Sequence, residues 1–435
     1  MTTVARCGPR CCDGVVDHTG VVREVEAVWR IESARLIGAL TRMVGDVGSA
    51  EEFAQDALVA ALEKWPEEGV PDNPAAWLTT VAKRRVVDRM RRDERFRLHL
   101  VELGRELTEH DGRDDFDAVL EEDYGDDLLE LMFMCCHPVL STEARVALTL
   151  RLLGGLTTEE IARAFLSTET AVAQRIVRAK RKLGREKVRF EVPSGKSRDA
   201  RLFDVLEVLY LVFNEGYSAT SGERWLRPEL CEEAMRLGRV LAELLPEEPE
   251  VHGLVALMEL QASRFRARTG PDGEPVPLDR QDRSRWDRLL ITRGLAALRR
   301  SLPRDPAVAR GVYSLQAGIA AVHAVATRHK DTDWHRIADL YRELSRRTGS
   351  PVVELNRAVA ISMAHGPGPA LRIVDALTEA LAGYPMLHAV RGDLLERLER
   401  PVDARAEYAC AAELTRNDGE RALLLKRARD HGRKA

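Results

Sequence analysis

No apolar run in these 435 residues approaches the length needed to span a bilayer. The N-terminus also lacks the long apolar core of a secretory signal. Cysteine is scarce and does not look paired: there are seven, an odd number that includes the adjacent couples Cys11–Cys12 and Cys135–Cys136. That is no disulfide framework, and a reducing cytoplasm fits it better. The chain has no nucleophile–base pair and no glycine-rich phosphate loop, so no catalytic constellation is present. No enzyme, metal or cofactor is expected. Met1 to Gly20 shows little periodicity. Cys7, Cys11 and Cys12 are therefore read as part of a disordered leader, or of a mis-assigned start, rather than as a metal site. Net charge is also small, −4, but this overall balance hides local basic patches, which are what a polyanion meets.

The strongest pattern runs from Thr157 to Leu183, TTEEIARAFLSTETAVAQRIVRAKRKL. Thr157 with Glu160 is a capping box that opens a first helix, on which Ile161 and Phe165 share a face. A turn is expected at Leu166, Ser167 and Thr168. In the second helix Val172, Ile176, Ala179 and Leu183 form a buried stripe. The opposite face carries Thr170, Ala173, Gln174, Val177, Arg178 and Arg181, residue types able to read base edges in a major groove. Thr170 to Arg189 holds eight cations and one anion, Glu186, suited to phosphates. Alone, this is also what an amphipathic hairpin with a solvated basic face looks like.

Upstream, Glu24 to Val44 is helical and is ended by Gly45 to Gly48. Ser49 with Glu52 is expected to cap the next helix, with Phe53, Ala57, Leu58, Ala61, Leu62 and Trp65 inward. Glu52, Gln55, Asp56 and Glu63 face outward, and Pro66 is expected to stop it. Asn73 then serves as N-cap with Pro74 at the first helical position. The helix it opens, to about Arg92, is expected to bury Trp77, Leu78, Val81, Val86 and Met90. Lys83 to Arg97 carries eight cations against three anions. Two basic helices this far apart in sequence argue for two contacts on one long polyanion. Between them, Glu106 to Glu130 has twelve acidic side chains against one basic, a self-repelling flexible connector. Asp127 to Leu153 returns to helix with a break at Pro138 and Ser141. Cys135, Cys136 and His137 sit beside Leu131 to Met134 and are read as buried packing, because adjacent cysteines are poor geometry for one metal.

From about residue 25 to 190 these features resemble the sigma-70 superfamily, specifically the extracytoplasmic-function sigma factors of bacterial RNA polymerase. AEEFAQDALVAALEKW looks like the polymerase-binding helix of region two, and PAAWLTTVAKRRVVDRMRR like its promoter-reading helix. LSTEARVALTLRLLGGLTTEEIARAFLSTETAVAQRIVRAKRKL looks like region four. The resemblance implies that Glu52, Gln55 and Asp56 face the polymerase β′ clamp, with the β flap as a further contact. It implies that Asp72 and Asn73 rim a pocket for an extruded minus-ten base, while Lys83, Arg84, Arg85 and Arg89 follow the strand's backbone. Ala173, Gln174, Val177 and Arg178, with Thr170 on the same face, would read the minus-thirty-five element, and Arg175 and Arg181 would hold phosphates. Two positions depart from the family pattern: Arg84, where asparagine is common, and Leu166, where glycine is usual and a wider turn is the expectation.

Past Asp199 the chain becomes helix pairs with short Gly/Pro breaks. Ala358, Ala370, Val374 and Leu377 recur 34 residues later as Gly392, Ala404, Tyr408 and Ala411, which resembles tetratricopeptide repeats. Less regular pairs are Tyr313–Thr327 with Thr332–Arg347, and Glu229–Leu245 with Pro249–Arg268. A right-handed stack with a concave face is expected. The stretches NEGYSA, LVALMELQASR, DRQDRSRWDR and SPVVELNRAVA resemble a subgroup of these sigma factors whose extension is thought to act in cis. DRQDRSRWDR is read as bracing for helix ends before it is read as a ligand site, and His323, Asp333 and Trp334 as core and caps before pocket.

The expected fold is all-α: a leader over 1–22, region two over 23–97, an acidic linker over 98–126, region four over 127–190 and a tetratricopeptide-like regulatory domain over 199–435. The expected partners are core RNA polymerase, promoter DNA and an unidentified regulator of the C-terminal domain, with no membrane. The competing readings are a stand-alone helix-turn-helix regulator with a repeat sensor, which would need neither the first basic helix nor the acidic connector, and a repeat-based adaptor whose sigma-like half is a relic.

Overall fold

Helix starts in this chain are set by short polar caps and by proline at the first turn, and the computed structural model shows which of them are used. The structure describes residues 18–102, 124–217, 226–270, 276–303, 305, 309–415 and 418–430. The side chains of 18–20, 93–102, 124–126, 418 and 430 are not among them. The leader's first seventeen residues and most of the acidic connector therefore lie outside the described residues. Among the described residues every regular element is a helix and there is no strand, only an isolated bridge residue at Thr269.

Five helices open the chain: α1 His18–Val44, α2 Val47–Glu68, α3 Pro74–Glu102, α4 Tyr124–Cys135 and α5 Thr142–Leu152. α1 starts inside the stretch expected to be a leader. α2 starts one turn earlier than the Ser49–Glu52 box suggested, because Asp46 is its N-cap and takes the Ser49 amide at 2.8 Å. Nor does Pro66 stop α2. The helix runs through it to Glu68 and ends at Gly69, whose φ of 88° suits glycine. A proline loses one intrahelical hydrogen bond, and in a last turn that loss is small. Asn73 caps α3 as expected, with the Ala76 amide 3.0 Å from its Oδ1. α3 continues beyond Arg92. Its buried stripe is Leu78, Ala82 and Val86, while Val81 is half-buried and Met90 is exposed. α2 likewise packs through a row of alanines, Ala50, Ala54, Ala57 and Ala61, ending at Trp65, and leaves Leu62 exposed. Small residues permit close approach, so these interfaces select alanine over the leucine that periodicity favours. Ser141 caps α5, and Cys135 and Cys136 are fully buried.

Next come α6 Thr158–Ala164 and α7 Glu169–Arg185. The turn between them is not widened to accommodate Leu166. Instead Leu166 adopts φ 48° and the Ser167 amide reaches back to the Ala162 carbonyl at 2.9 Å. This six-to-one closure is the Schellman pattern, with leucine standing where glycine is favoured.

The remainder comprises α8 Gly195–Tyr217, α9 Pro228–Leu244, α10 Pro249–Ala262, α11 Phe265–Arg268, α12 Arg288–Ser301, α13 Val312–Val325, α14 Trp334–Thr348, α15 Pro351–His365, α16 Pro367–Asp375, α17 Pro385–Arg397, α18 Pro401–Leu414 and α19 Asp418–Asp430. From α13 onward each helix packs against the next, including the expected α13–α14 pair. The repeated small-residue positions are buried: Ala358, Ala370, Val374, Ala404, Tyr408 and Ala411 are each fully withdrawn from solvent. Gly392 is needed where it stands, since a Cβ there would come within 2.8 Å of the Tyr408 ring. The earlier part is less repeat-like. α10 packs on α9 but mainly on α12 and α13, and every residue from Val251 to Leu260 is buried, as befits a helix that is apolar all round.

Two compact units result. One is Met1–Thr157 with Gln174–Ser194, and the other is Thr158–Ala173 with Gly195–Ala435.

Candidate nucleic-acid and polymerase interface

α7 is amphipathic because its apolar residues fall every three or four positions. Val172, Ile176, Ala179 and Leu183 are at most 4% exposed. Thr168 caps the helix, taking the Ala171 amide at 3.2 Å. Away from the stripe, Thr170, Gln174, Val177, Arg178 and Arg181 are exposed, whereas Ala173 and Arg175 are half-buried. Val177 is 43% exposed on an otherwise polar face. Gln174 Oε1 takes a hydrogen bond from Arg178 at 3.3 Å, so the amide and guanidinium are already aligned with one another. Five open side chains, which include amide and guanidinium donors and the methyl-bearing Val177, can read a major-groove edge.

The α2–α3 pair is less freely open. Glu52 and Asp56 are exposed, but Gln55 is half-buried and donates to Glu51 Oε1 at 2.8 Å. Asp56 pairs with Arg85 at 3.1 Å. One expected polymerase-facing carboxylate thus neutralises one expected strand-following cation. Arg84 and Arg89 are exposed and Asp72 is open. Asn73 is exposed, though its oxygen is committed to capping. Lys83 is half-buried, and burial lowers its pKa while the Asp127 carboxylate opposes that shift. Trp77 stands edge-on to Trp65 with centroids 5.4 Å apart, which supports packing over base stacking.

Several side chains that the helical pattern did not single out hold these elements in place. Glu51, 4% exposed, receives Arg151 Nε of α5 at 2.8 Å and the Lys180 ammonium of α7. Glu51 borders the alanine stripe of α2, and an acid at such a border is the one sequence signal for a buried ion pair. Arg42 of α1 similarly bridges Asp127 and, at 3.0 Å, Glu130 of α4. In the other unit Arg227, at the start of α9, donates to the Ala164 carbonyl ending α6 and pairs with Glu215.

In the C-terminal region DRQDRSRWDR braces helix ends. Asp287 caps α12. The buried Arg283 guanidinium donates to the carbonyls of His323 and Ala326 closing α13. Asp333 caps α14, and Trp334 packs edge-on to His323 at 5.2 Å. Among the described residues no helix is long and apolar enough to cross a membrane, and no cluster of three or more His, Cys, Asp or Glu could hold a metal.

Comparison with known proteins follows these modules. Residues 30–96 match the model of Sigma-70 region 2, residues 130–183 that of Sigma-70 region 4, and residues 201–302 a family of unknown function, DUF6596. The chain is 44% identical over 392 residues to an uncharacterized protein, R00370, of Rhizobium meliloti (strain 1021), covering 89% of this chain and 91% of that one. It is 28% identical over 176 residues to a probable ECF RNA polymerase sigma factor, SigI, of Mycobacterium tuberculosis, covering 40% of this chain and 59% of SigI. It is 39% identical over 72 residues to the ECF RNA polymerase sigma factor SigK of Mycobacterium sp. (strain KMS), covering 16% of this chain and 36% of SigK.

Proposed function

The chain belongs to the extracytoplasmic-function branch of the sigma-70 superfamily, and on that premise we propose that it directs core RNA polymerase to a defined set of promoters. In this reading α2 docks on the β′ clamp through Glu52, Gln55 and Asp56, with region four on the β flap. Asp72 and Asn73 rim the pocket for an extruded minus-ten base, and Lys83, Arg84, Arg85 and Arg89 follow the strand's phosphates. Gln174, Val177 and Arg178, flanked by Thr170 and Ala173, read the minus-thirty-five element, while Arg175 and Arg181 hold its backbone. The helical region beyond residue 195 controls these contacts in cis.

The observation that carries the reading is the division of α7 between a fully buried apolar stripe and an open face of Gln174, Val177, Arg178 and Arg181. Val177 places an exposed apolar side chain among the cations of this face. A thymine methyl gives it a partner. The Asp56–Arg85 pair suits an exchange in which polymerase takes the carboxylate and DNA the guanidinium.

The test is transcription in vitro with the full-length protein and core polymerase on a genomic promoter library. Open complexes on particular promoters are expected, and they should be abolished by Arg178→Glu with Arg181→Glu. Absence of promoter-specific transcripts rejects the reading. Tight duplex binding as a dimer without polymerase would favour a stand-alone regulator instead.

A further inference from the structure

The C-terminal helical region encloses a cavity of about 380 Å³ whose wall residues come from α8, α10, α13, α14 and α15, with Arg264 and Leu278 from the segments that follow α10. Its floor is apolar, with Leu257 and Leu260 on one side and Ile319 and Leu344 on the other. The polar wall is unusual in what it leaves unmet. Gln261 Oε1, Arg264 Nε and His323 Nδ1 are all shut off from solvent and have no hydrogen-bond partner among the described residues. All three belong to residues lining this one cavity. Buried polar atoms normally find partners, so three orphans around one void mark a place that something else completes.

The missing chemistry follows from charge. Arg264 donates to the Tyr217 hydroxyl and lies 5.9 Å from the Trp286 ring centre, but it forms no ion pair among the described residues. Arg283, next to it, forms no ion pair within bonding distance among the described residues and donates to the His323 and Ala326 carbonyls and to Thr332. Burial, then Arg264 and Arg283, hold the His323 imidazole pKa down to about 3, so His323 stays neutral beside them. Arg264 is half-buried with its Nε shut off from water, and a polar group in that position without a partner is costly. An anion relieves it, and the orphaned oxygen of Gln261 asks in addition for a donor on the same molecule.

We infer that this cavity is a binding site for a small organic anion, a carboxylate or phosphate ester with a hydroxyl or amino group and a short apolar body. Arg264 takes the anionic head, His323 and Gln261 take polar substituents, and the leucine and isoleucine floor takes the body. The volume lies within the usual range for small-molecule sites. The inference goes beyond the promoter reading and does not rest on it.

The experiment uses full-length protein and three probes sharing one ring: 4-hydroxybenzoate, 4-hydroxyphenyl phosphate and the neutral 4-hydroxybenzamide. Binding is followed by titration calorimetry and by thermal shift. At least one anion should bind saturably and raise Tm, at least tenfold more tightly than the amide, and the stronger of the two anions identifies the head group. Arg264→Gln should erase the preference for the anion, and Ile319→Trp, which fills the cavity, should erase binding of every probe. Far-UV circular dichroism checks that each variant is folded. The inference is overturned if neither anion binds, if the amide binds as well as the anions, or if binding survives Ile319→Trp in a folded variant. Should that variant fail to fold, Arg264→Gln and the wild-type comparison of acid with amide decide.

Discussion

Glu51 of α2 holds Lys180 of α7 on one carboxylate oxygen and Arg151 of α5 at 2.8 Å on the other. A helix expected to meet polymerase is thereby clasped to the helix expected to read DNA. Minus-ten and minus-thirty-five elements are separated by roughly 85 Å of duplex at about 3.4 Å per base pair. In the promoter reading a protein engaged with both cannot keep α2 and α7 in contact, and the Glu51 clasp opens. Glu51→Gln removes the charge and keeps the shape. It should destabilise the free protein by about 1–3 kcal/mol, the range for a buried group that loses a charged partner. It should also leave the affinity for core polymerase equal or higher. Urea unfolding and a polymerase-binding titration measure the two quantities, and a variant as stable as wild type would show that the clasp contributes nothing.

Leu166 is held in left-handed backbone at φ 48° and is 57% exposed. Its side chain gains little from packing there, while a Cβ in that region carries a penalty of roughly 1–2 kcal/mol. Leu166→Gly relieves the strain but adds flexibility to the unfolded chain, an opposing effect of up to about 1 kcal/mol. The net expectation is a gain of about 0.5–1 kcal/mol, read as a rise in Tm. A fall would mean that the leucine makes contacts worth more than its strain.

The two basic modules, the α7 stripe, the Asn73 cap and the repeat at a spacing of 34 residues were legible in the sequence, because each rests on local chemistry or on periodicity. The errors share a cause. Ser49 and Pro66 are local signals that Asp46 and the continuing α2 override, and Leu62 and Met90 lose their expected burial to Ala61 and Ala82, since close helix approach is decided by the partner surface. Glu51, Arg42 and Arg227 find their ion-pair partners 12 to 129 residues away, beyond the reach of any pattern read along the chain. The cavity around Arg264 was legible only as a charge-dense stretch nearby.

In the promoter reading, phosphate and base contacts on α7 are separable by salt. Arg181 is exposed and, in the promoter reading, touches backbone only, so Arg181→Ala should lower the slope of log affinity against log salt by about one. Promoter choice should not change. Val177→Ala should leave that slope alone and weaken discrimination at one position by roughly 1–3 kcal/mol, the scale of a single base mismatch. Holoenzyme binding to promoter variants at several salt concentrations checks both, and identical behaviour of the two variants would contradict the assignment.

Arg227 secures the end of α6 by donating to the Ala164 carbonyl while pairing with Glu215. It is 9% exposed, so the bond is little screened. Arg227→Ala leaves a carbonyl and a carboxylate without that donor and should loosen the last turn of α6. Amide hydrogen exchange in peptides covering Thr158–Ser167 is expected to accelerate by about tenfold, the equivalent of roughly 1.4 kcal/mol, with Arg227→Lys intermediate. Unchanged exchange would remove Arg227 as the link between α6 and α9.

His323 makes stability depend on pH in a defined direction. Burial first, then Arg264, Arg283 and His329, lower its folded-state pKa to about 3, against an unfolded value near 6.5. Between those values the unfolded chain binds a proton that the native protein refuses, so stability rises with pH across that window and is complete above it. Going from pH 8 to pH 5 should therefore remove about 2 kcal/mol through this residue, at roughly 1.4 kcal/mol per pH unit below 6.5. His323→Gln keeps a polar side chain without the titration and should flatten that part of the profile. Urea midpoints of both proteins at pH 5, 6, 7 and 8 make the comparison, and parallel profiles would show that the imidazole is protonated in the folded chain.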